Sequence, residues 1–568
     1  MVFSLRTLVL VLLWSVIITT KVKAELEVTI YAFRNSNDLT HKTYSYDVVP
    51  SENLNTVSSI NLLQSGPDGQ MTSLFTRGTN SNHTLITYNG IPIKDNSTPL
   101  GTDDISQHSF LGINSLEVIK GPMSSVYGPN AVGGTINMVS QPNTENSIDV
   151  SYGSNNTKQT TIKLGEYYGN TIVDLSLQKE TSNGISVADG DEDDGYNNTN
   201  YHLQISNGAH NFKKMQTHNK VDLDGRVDTT DYTSSWKFDN NYYSWQPNKD
   251  TEITVNNANH KRKYDKSGVQ DNYKNTTNTI LGKHTLHNKK SSYTFGTEHE
   301  FTNVKFDTAI LGYVSNVNKD RTNNGYFFSI DNTTEHNVQL HTGVRIDTPN
   351  TFDNQVTYRV GAEKNGVRLS YATGYKAPTV YEMYGVDNYG FLGNTNLVPE
   401  ETQTYEIGYR NQNVDLAFFK TTIDNLLKYE GNTYINDTKK SDRHGVELGL
   451  TQEIGDVTIQ NNTTFTIAED GDGNELLRRP KWMNTLSANY KVVSLQVNYF
   501  GEHLDLDYQT FGTVSMPSVT TVDLSTEFEK GGLTFYGKLS NITNVDYERP
   551  DGYNQYGRNF TIGFKKTF

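Results

Sequence analysis

Apolar and polar residues alternate in many short runs along most of the chain after residue 144. Three of these runs place their apolar side chains on one face, namely Val338, Leu340, Val344 and Ile346; Val493, Leu495, Val497 and Tyr499; and Tyr405, Ile407 and Tyr409. A period of two predicts β-strands with one apolar face. Separate β-sandwiches of about 100 residues would need linkers, and none is evident, so we predict one very large all-β unit.

Residues 25–143 are predicted to form a compact domain in front of the β-rich region. In residues 116–139, two apolar runs flank a turn that contains Gly121, Gly128, Gly133 and Gly134. Glycines at this density indicate tight backbone packing. In residues 77–93, an alternating run leads into Asn89-Gly90, which predicts a β-hairpin.

The first 24 residues have the features of a secretory signal peptide. Arg6 precedes an apolar run from Leu8 to Ile18, and Val22-Lys23-Ala24 supplies the small residues that a signal peptidase reads. A buried or anchoring helix is the alternative, but Lys21 and Lys23 leave the run too short to span a bilayer comfortably. The mature, exported chain is therefore expected to begin at Glu25.

Composition and charge narrow the class of protein further. Aromatic residues make up 11% of the chain, with 35 Tyr and 23 Phe, while the mean hydropathy is only -0.63. A transmembrane barrel tolerates such low hydropathy, because its strands alternate between lipid and lumen. The net charge of -15, without a long basic run, argues against nucleic acid as a partner. The absence of cysteine excludes disulfides and thiolate metal sites.

Several segments resemble those of TonB-dependent outer-membrane receptors. Residues 116–139 and 77–93 are similar to two parts of that family's plug domain. The segments TGYKAPTVYEMYG, LGNTNLVPEETQTYEIGYR, LLRRPKW and LSNITNVDYERPDGYNQYGRNF are similar to successive segments of its barrel. The chain ends in NFTIGFKKTF, with Phe560, Ile562, Phe564 and Phe568 on one face. Any β-protein could end in such an edge strand, but it also resembles the strand by which outer-membrane barrels are recognised for insertion.

This resemblance implies an all-β membrane protein in the outer membrane of a Gram-negative cell, acting as a monomer. Residues 1–24 would be the signal peptide, residues 25–143 the plug with its Ton box, and residues 144–568 an antiparallel barrel of about 22 strands, each of about ten residues. Within the family, the cobalamin (vitamin B12) transporters are the most similar, which implies active import of cobalamin. Ferric siderophores, or haem, are the alternative ligands, since variants of the same barrel segments occur in siderophore receptors.

The resemblance also assigns roles to the N-terminal domain. Leu26, Glu27, Val28, Thr29 and Ile30 form an alternating segment that resembles the Ton box, which the periplasmic domain of the energy-transducing TonB protein captures by strand addition. The loop after the hairpin faces the external ligand in a plug, so its residues Asp95, Asn96, Ser97 and Thr98 are candidate ligand contacts. Arg77 resembles the plug's interior arginine, whose charge is balanced by acids of the barrel wall.

Two acidic loops are candidates for calcium binding. The carboxylates are those of Asp191, Glu192 and Asp194 in the first loop and of Asp224, Asp228 and Asp231 in the second. Clustered carboxylates repel one another unless water or a hard cation such as calcium neutralises them. The spacing does not fit an EF-hand, and solvated loops are the alternative. Calcium is favoured by the resemblance, although the loop before the acidic turn looks short and leaves one carboxylate ligand unaccounted for.

An enzymatic function is not expected. The 14 histidines lack the spacing of an HExxH zinc site, and no serine stands in a G-x-S-x-G turn. Haem is disfavoured because His83 lies in the plug hairpin and His108 lacks an obvious mate. A passive porin or an adhesin is the rival class, which a plug with a Ton box would argue against.

Overall fold

The computed structural model describes residues 43–188, 192–224, 231–309, 315–386, 390–507 and 509–568. The predicted signal peptide and Ton box lie outside these residues. Within them, a small N-terminal sheet domain is followed by a region that consists almost entirely of strands. No helix in the described part of the chain is both long and apolar enough to cross a membrane.

The N-terminal domain, hereafter the plug, is built around a five-stranded sheet with the order β1-β6-β7-β4-β5, in which only the β4–β7 pair is parallel. β2 and β3 form a separate antiparallel pair. The strands are β1 (Tyr46–Val49), β2 (Ile60–Gln64), β3 (Thr72–Thr76), β4 (Thr84–Tyr88), β5 (Ile91–Pro92), β6 (Ser115–Lys120) and β7 (Gly134–Val139). The helical turns are Ser51–Thr56, Ser81–His83 and Ile105–Gln107, together with helix α1 (Ser124–Tyr127).

Both turn predictions for the plug are confirmed. Asn89 and Gly90 have positive φ angles of 47° and 81° and connect β4 to β5. The glycine-rich turn between β6 and β7 contains α1. A Cβ atom on Gly134 would lie 2.6 Å from the carbonyl oxygen of Ile119, so a larger residue would force the two strands apart.

The remaining strands follow the plug in chain order. They are β8 (Ser147–Gly153), β9 (Lys158–Tyr168), β10 (Thr171–Ile185), β11 (Asp194–Asn207), β12 (His210–Asp224), β13 (Asp231–Asn248), β14 (Thr251–Lys266), β15 (Val269–His287), β16 (Ser291–Thr308), β17 (Ser315–Thr333), β18 (Gln339–Pro349), β19 (Gln355–Lys364), β20 (Val367–Lys376), β21 (Glu400–Arg410), β22 (Val414–Asp424), β23 (Leu427–Glu430), β24 (Thr433–Asn436), β25 (Ser441–Ile454), β26 (Val457–Glu469), β27 (Trp482–Tyr490), β28 (Val493–Phe500), β29 (His503–Asp507), β30 (Gly512–Met516), β31 (Val519–Lys530), β32 (Leu533–Ser540) and β33 (Asn559–Thr567). Helix α2 (Val380–Tyr384) lies between β20 and β21.

Among the described residues, 22 of these strands form one closed antiparallel barrel, which confirms the predicted fold class. Each barrel strand pairs with the next barrel strand along the chain, and β33 closes the ring on β8 through pairs such as Thr567 with Ser147. The hairpins β23–β24 and β29–β30 stand apart from the barrel sheet. The expected strand length of about ten residues is wrong for β13 to β17, which have 16 to 19 residues each and extend beyond a bilayer.

The apolar faces predicted from the alternation point away from the lumen. Tyr405 and Ile407 of β21 are 59% and 50% exposed, whereas the alternate residues Thr404 and Glu406 are buried. Leu495, Ile346 and Phe564 on other strands are also exposed. This arrangement is typical of a barrel wall that faces lipid.

The plug lies inside the barrel and shares a hydrophobic cluster with its wall. Ile86, Tyr88 and Leu116 of the plug belong to the same buried cluster as Trp236 and Phe238 of β13. Apolar burial and the ion pairs described below therefore fix the plug in the lumen.

Candidate transport site between plug and barrel

The two ends of the barrel differ in the length of their connections. At one end, hereafter the short-turn end, strands are joined by tight turns such as 169–170, 365–366 and 531–532. The opposite end carries the longest connections, among them 377–399 and 541–558. In outer-membrane barrels, short turns face the periplasm and long loops face the exterior, so we refer to the long-loop end as the mouth.

The described chain enters the plug at the short-turn end. Thr43 lies against Gly361 near the end of β19, and the Ser45 hydroxyl accepts a hydrogen bond from Arg368 at 2.8 Å. Arg410, the last residue of β21, donates to the carbonyl oxygen of Tyr46 at 2.6 Å. The first described residues of the plug therefore lie at the short-turn, periplasmic end of the barrel.

Arg77 connects the plug to two strands of the wall. Its Nε and Nη2 atoms donate to the two carboxylate oxygens of Glu447 at 2.7 and 2.9 Å, and its Nη1 lies 2.8 Å from Glu406. The guanidinium also lies 4.5 Å from the ring centre of Phe419. The expectation of an interior arginine balanced by wall acids is confirmed, and its partners are Glu406 of β21 and Glu447 of β25.

The charges of this cluster are strongly coupled. Burial lowers the pKa of Arg77, but Glu447 and Glu406 raise it by more, so the pKa lies above its ordinary value and the guanidinium stays charged. Lys120 of the plug adds a second cation, 2.9 Å from Asp47 and 3.7 Å from Glu447. Any movement of the plug must separate these buried charges or carry them together.

A second contact connects the plug hairpin to the wall closer to the mouth. His83 is fully buried, and its Nε2 lies 2.6 Å from Glu400. Burial lowers the pKa of His83 more than Glu400 raises it, which favours a neutral ring. Its Nδ1 then accepts from the Asn80 amide at 3.3 Å, and Nε2–H donates to Glu400. Lys376, 3.4 Å from Glu400, supplies the cation of this group.

The four candidate ligand contacts lie near the mouth, but most of their polar atoms are used within the plug. Asp95 accepts hydrogen bonds from the amide and the hydroxyl of Ser97 at 2.8 and 2.6 Å, and Thr98 donates to the Asp95 carbonyl oxygen. All three residues are buried, while Asn96 is half-buried. Their role in ligand binding stays a prediction. Leu100, which is 45% exposed, presents the apolar tip of the same loop.

An aromatic cluster at the mouth was not foreseen from the sequence. Aromatic rings contact one another in succession from β14 through β15, β16 and α2 to the β23–β24 hairpin. The members are Tyr264, Tyr273, Phe306, Tyr381, Phe391, Tyr429 and Tyr434. Arg262 lies 4.6 Å from the ring centre of Tyr273, and Lys319 lies 4.4 Å from that of Tyr384. The tyrosines of the TGYKAPTVYEMYG segment were the available signal, but the segment alone does not show that they meet rings from other strands.

Three of the predicted calcium ligands converge beside the mouth. Glu192, Asp194 and Asp224 each offer a carboxylate oxygen within 4.8 Å of the other two. Asp194 and Asp224 also accept hydrogen bonds from the amides of Val187 and Ala188 at 2.8 and 3.3 Å. Asp194 is only 1% exposed, and its Oδ1 has no hydrogen-bond partner among the described residues.

The other predicted calcium ligands cannot be placed in this cluster. Asp191 and Asp228 lie outside the described residues. The backbone of Asp231 pairs with that of Asp224, but its side chain lies outside the described part of the structure.

The comparisons with known proteins agree with this architecture. The family "TonB-dependent Receptor Plug Domain" matches residues 47–135, and the family "TonB dependent receptor-like, beta-barrel" matches residues 139–542. The chain is also similar to the solved structure of the ferric yersiniabactin uptake receptor of Yersinia pestis, with 17% identity, a TM-score of 0.71, and coverage of 93% of this chain and 98% of that one.

Two further structures are similar over nearly the whole chain. The ferripyoverdine receptor of Pseudomonas aeruginosa has 14% identity and a TM-score of 0.76, with coverage of 95% of this chain and 89% of that one. A siderophore receptor of Acinetobacter baumannii has 14% identity and a TM-score of 0.74, with coverage of 92% and 98%. The barrel match alone spans more than half of the chain, so this protein belongs to the TonB-dependent receptors, transport proteins of the outer membrane.

Proposed function

We propose that this receptor actively imports a large metal chelate into the periplasm. The observation that carries the proposal is the plug held inside a closed barrel by buried ion pairs, which a passive porin or an adhesin would not need. The chelate binds at the mouth, and the TonB partner pulls on the segment Leu26 to Ile30 from the periplasmic side. Mechanical work is required because the charges around Arg77 must be displaced before a passage opens.

A ferric siderophore is the first ligand class to test. The receptors of the same fold named above are siderophore receptors. The mouth of this chain combines tyrosine rings with Arg262 and Lys319. Aromatic and cationic groups together attract an anionic chelate through stacking and charge.

Cobalamin is the second candidate, and two observations favour it. The plug and barrel segments resemble those of cobalamin transporters, and this resemblance implies calcium-binding acids in the early loops. The convergence of Glu192, Asp194 and Asp224 on one point supports such a calcium site here.

Lys319→Met is expected to separate the two ligand classes. It removes a cation from the mouth, so binding of an anionic ferric siderophore should weaken about tenfold, whereas binding of cyanocobalamin, without net negative charge, should change little. Fluorescence-quenching titrations of the purified receptor with both ligands measure this. Lys420→Met, which removes a lysine from the outer wall, is the control. Tight binding of cyanocobalamin with no binding of ferric siderophores would reverse the order of the two candidates.

We also propose that Glu192, Asp194 and Asp224 bind calcium. Their oxygens are the ligands that calcium prefers, and the unpartnered, buried Oδ1 of Asp194 would be satisfied by a cation. Asp194 and Asp224 accept hydrogen bonds from the backbone amides of residues 187 and 188. A bound ion would therefore order the adjoining loops beside the mouth. Ordering these loops in advance removes an entropy cost from ligand binding.

Calcium is therefore expected to raise the affinity for the transported ligand by about tenfold. Linkage requires that the ligand raise the affinity for calcium by the same factor. The double exchange Asp194→Asn and Asp224→Asn keeps size and removes charge, and it should abolish the calcium dependence. Titrations in chelator and in millimolar calcium measure the effect, with the exposed loop exchange Asp353→Asn as control. Equal wild-type affinity in both conditions would show that the acids form only a solvated loop.

A further inference from the structure

The outer wall carries a row of basic side chains across five neighbouring strands. Its members, hereafter the basic ladder, are His218 of β12, Lys237 of β13, Lys261 of β14, Lys274 of β15 and Lys305 of β16. Each is paired directly with the next across the sheet. All five side chains are exposed.

The ladder faces away from the lumen. The residues next to its members in each strand point inward and are buried, among them Phe238, His260, Asn275 and Phe306. Because side chains alternate along a strand, the ladder shares the outer face with apolar residues nearer the short-turn end. The ladder therefore lies outside the path of the imported ligand.

The position of the ladder corresponds to the outer boundary of the membrane. On β13, β14 and β15, the outward-facing apolar side chains nearest to the mouth are Tyr243, Val255 and Ile280, which are paired across the strands. They are 38%, 44% and 53% exposed. Two polar outward rows follow, Asn241 with Asn257 and Asn278, and Asp239 with Asn259 and Thr276. The ladder is the next row.

Distance along the strands gives the same position. His218 lies eight residues from the start of β12, and Lys305 lies fourteen residues from the start of β16. With a rise of about 3.3 Å per residue and a tilt of about 40°, the ladder stands roughly 20 to 35 Å above the short-turn end. A lipid-facing apolar band is about 25 Å tall, so the ladder reaches the level of the outer headgroups.

The side chains of the ladder have no ion-pair partners among the described residues. Like charges directly opposite each other destabilise a sheet. Two acids lie one row away on the same face: Asp239, which pairs with Lys214, and Asp307 beside Lys305. A second copy of this face would add to the repulsion, which argues against self-association through it.

We propose that the basic ladder binds the phosphates of an anionic lipid headgroup in the outer leaflet. Lysine ammonium groups bind phosphate as point charges, and strands about 4.8 Å apart spread the four lysines of the ladder over roughly 14 Å, enough for a headgroup with several phosphates. Side chains of the ladder and of the two polar rows line a cleft of about 630 Å³ on the outer wall, which would accept such a headgroup.

The triple exchange Lys237→Gln, Lys261→Gln and Lys274→Gln tests the proposal. Delipidated, full-length mature receptor in neutral detergent is titrated with bis-phosphorylated lipid A and with its dephosphorylated counterpart, and native mass spectrometry measures the bound fraction. Each lysine lost near an anionic membrane surface weakens binding about fivefold, so the triple exchange should cost about a hundredfold at low salt. The dephosphorylated lipid should bind weakly and equally to wild type and variant.

Two variants keep this test decisive. The first is a triple exchange that removes three exposed lysines at the short-turn end, Lys289→Gln with Lys290→Gln and Lys364→Gln. This variant should bind the lipid as wild type does. The second is the triple exchange Lys237→Arg, Lys261→Arg and Lys274→Arg. It keeps the positive charge of the ladder and should retain lipid binding. The glutamine variant should also melt no lower than wild type without lipid, because the repulsion is relieved.

Three outcomes would overturn the proposal. In the first, the glutamine variant binds the bis-phosphorylated lipid as tightly as wild type does. In the second, wild type binds the dephosphorylated lipid as tightly as the bis-phosphorylated lipid. In the third, millimolar inorganic phosphate fully displaces the lipid. The last result would indicate a site for a free anion and not for a lipid headgroup.

Discussion

Replacing Val28 by proline is expected to abolish uptake and to leave ligand binding at the cell surface unchanged. Strand addition depends on main-chain hydrogen bonds, and proline removes one donor and fixes φ. The mouth lies at the opposite end of the barrel from the point where the chain enters the plug, so the binding surface is not affected. Accumulation and surface binding of radiolabelled ligand in intact cells measure the two quantities separately.

The matched control for this exchange is Val28→Thr. Threonine is β-branched and keeps its N–H group, so it favours an extended strand and uptake should continue. Normal uptake by the proline variant would mean that this segment is not the coupling strand, and a passive route would then be the better explanation.

Replacing Arg77 by methionine is expected to produce the largest loss of stability. Glu406 and Glu447 are almost fully buried, and removing one partner of a buried ion pair costs about 3–5 kcal/mol. In the variant, Glu406 still has an ion-pair partner in Arg368 at 3.0 Å, and Glu447 still has one in Lys120 at 3.7 Å. The expected loss of stability therefore lies in the lower part of that range. The loss should appear as a lower urea concentration at which the purified receptor opens a conducting pore in planar bilayers.

A combined variant separates loss of the ion pairs from loss of packing. When Glu406→Gln and Glu447→Gln accompany Arg77→Met, no unpaired carboxylate remains at Arg77, and part of the stability should return. If Arg77→Met alone opens at the same urea concentration as wild type, the ion pairs do not hold the plug.

The sequence predicts the barrel well because its signal is local. Tyr405 and Ile407 face lipid while Thr404 and Glu406 face the lumen, and a period of two is visible within a few residues. The hairpin at Asn89 and Gly90 is predictable for the same reason, since positive φ at both positions is a property of these residue types.

The transport site depends on contacts that are distant in the chain, and these were not predictable. Arg77 and Glu447 are 370 residues apart, and nothing in either segment identifies the other. The basic ladder combines one residue from each of five strands, so no single segment of the sequence shows the cluster of positive charge. The length of β13 to β17 was also missed, because the outward-facing positions of their outer halves are polar, and the lipid-facing alternation ends before the strands do.

The pairing of β33 with β8 has a consequence for how the protein is made. Thr567 and Ser147 meet across the ring although almost the whole barrel lies between them in the chain, so the last strand must be delivered before the wall is continuous. Until then both terminal strands expose unpaired backbone groups that invite aggregation, and contacts between such distant residues form slowly. We therefore expect the assembly of this receptor to pass through a stage in which the sheet is still open, and in which other proteins must protect its two terminal strands from aggregation.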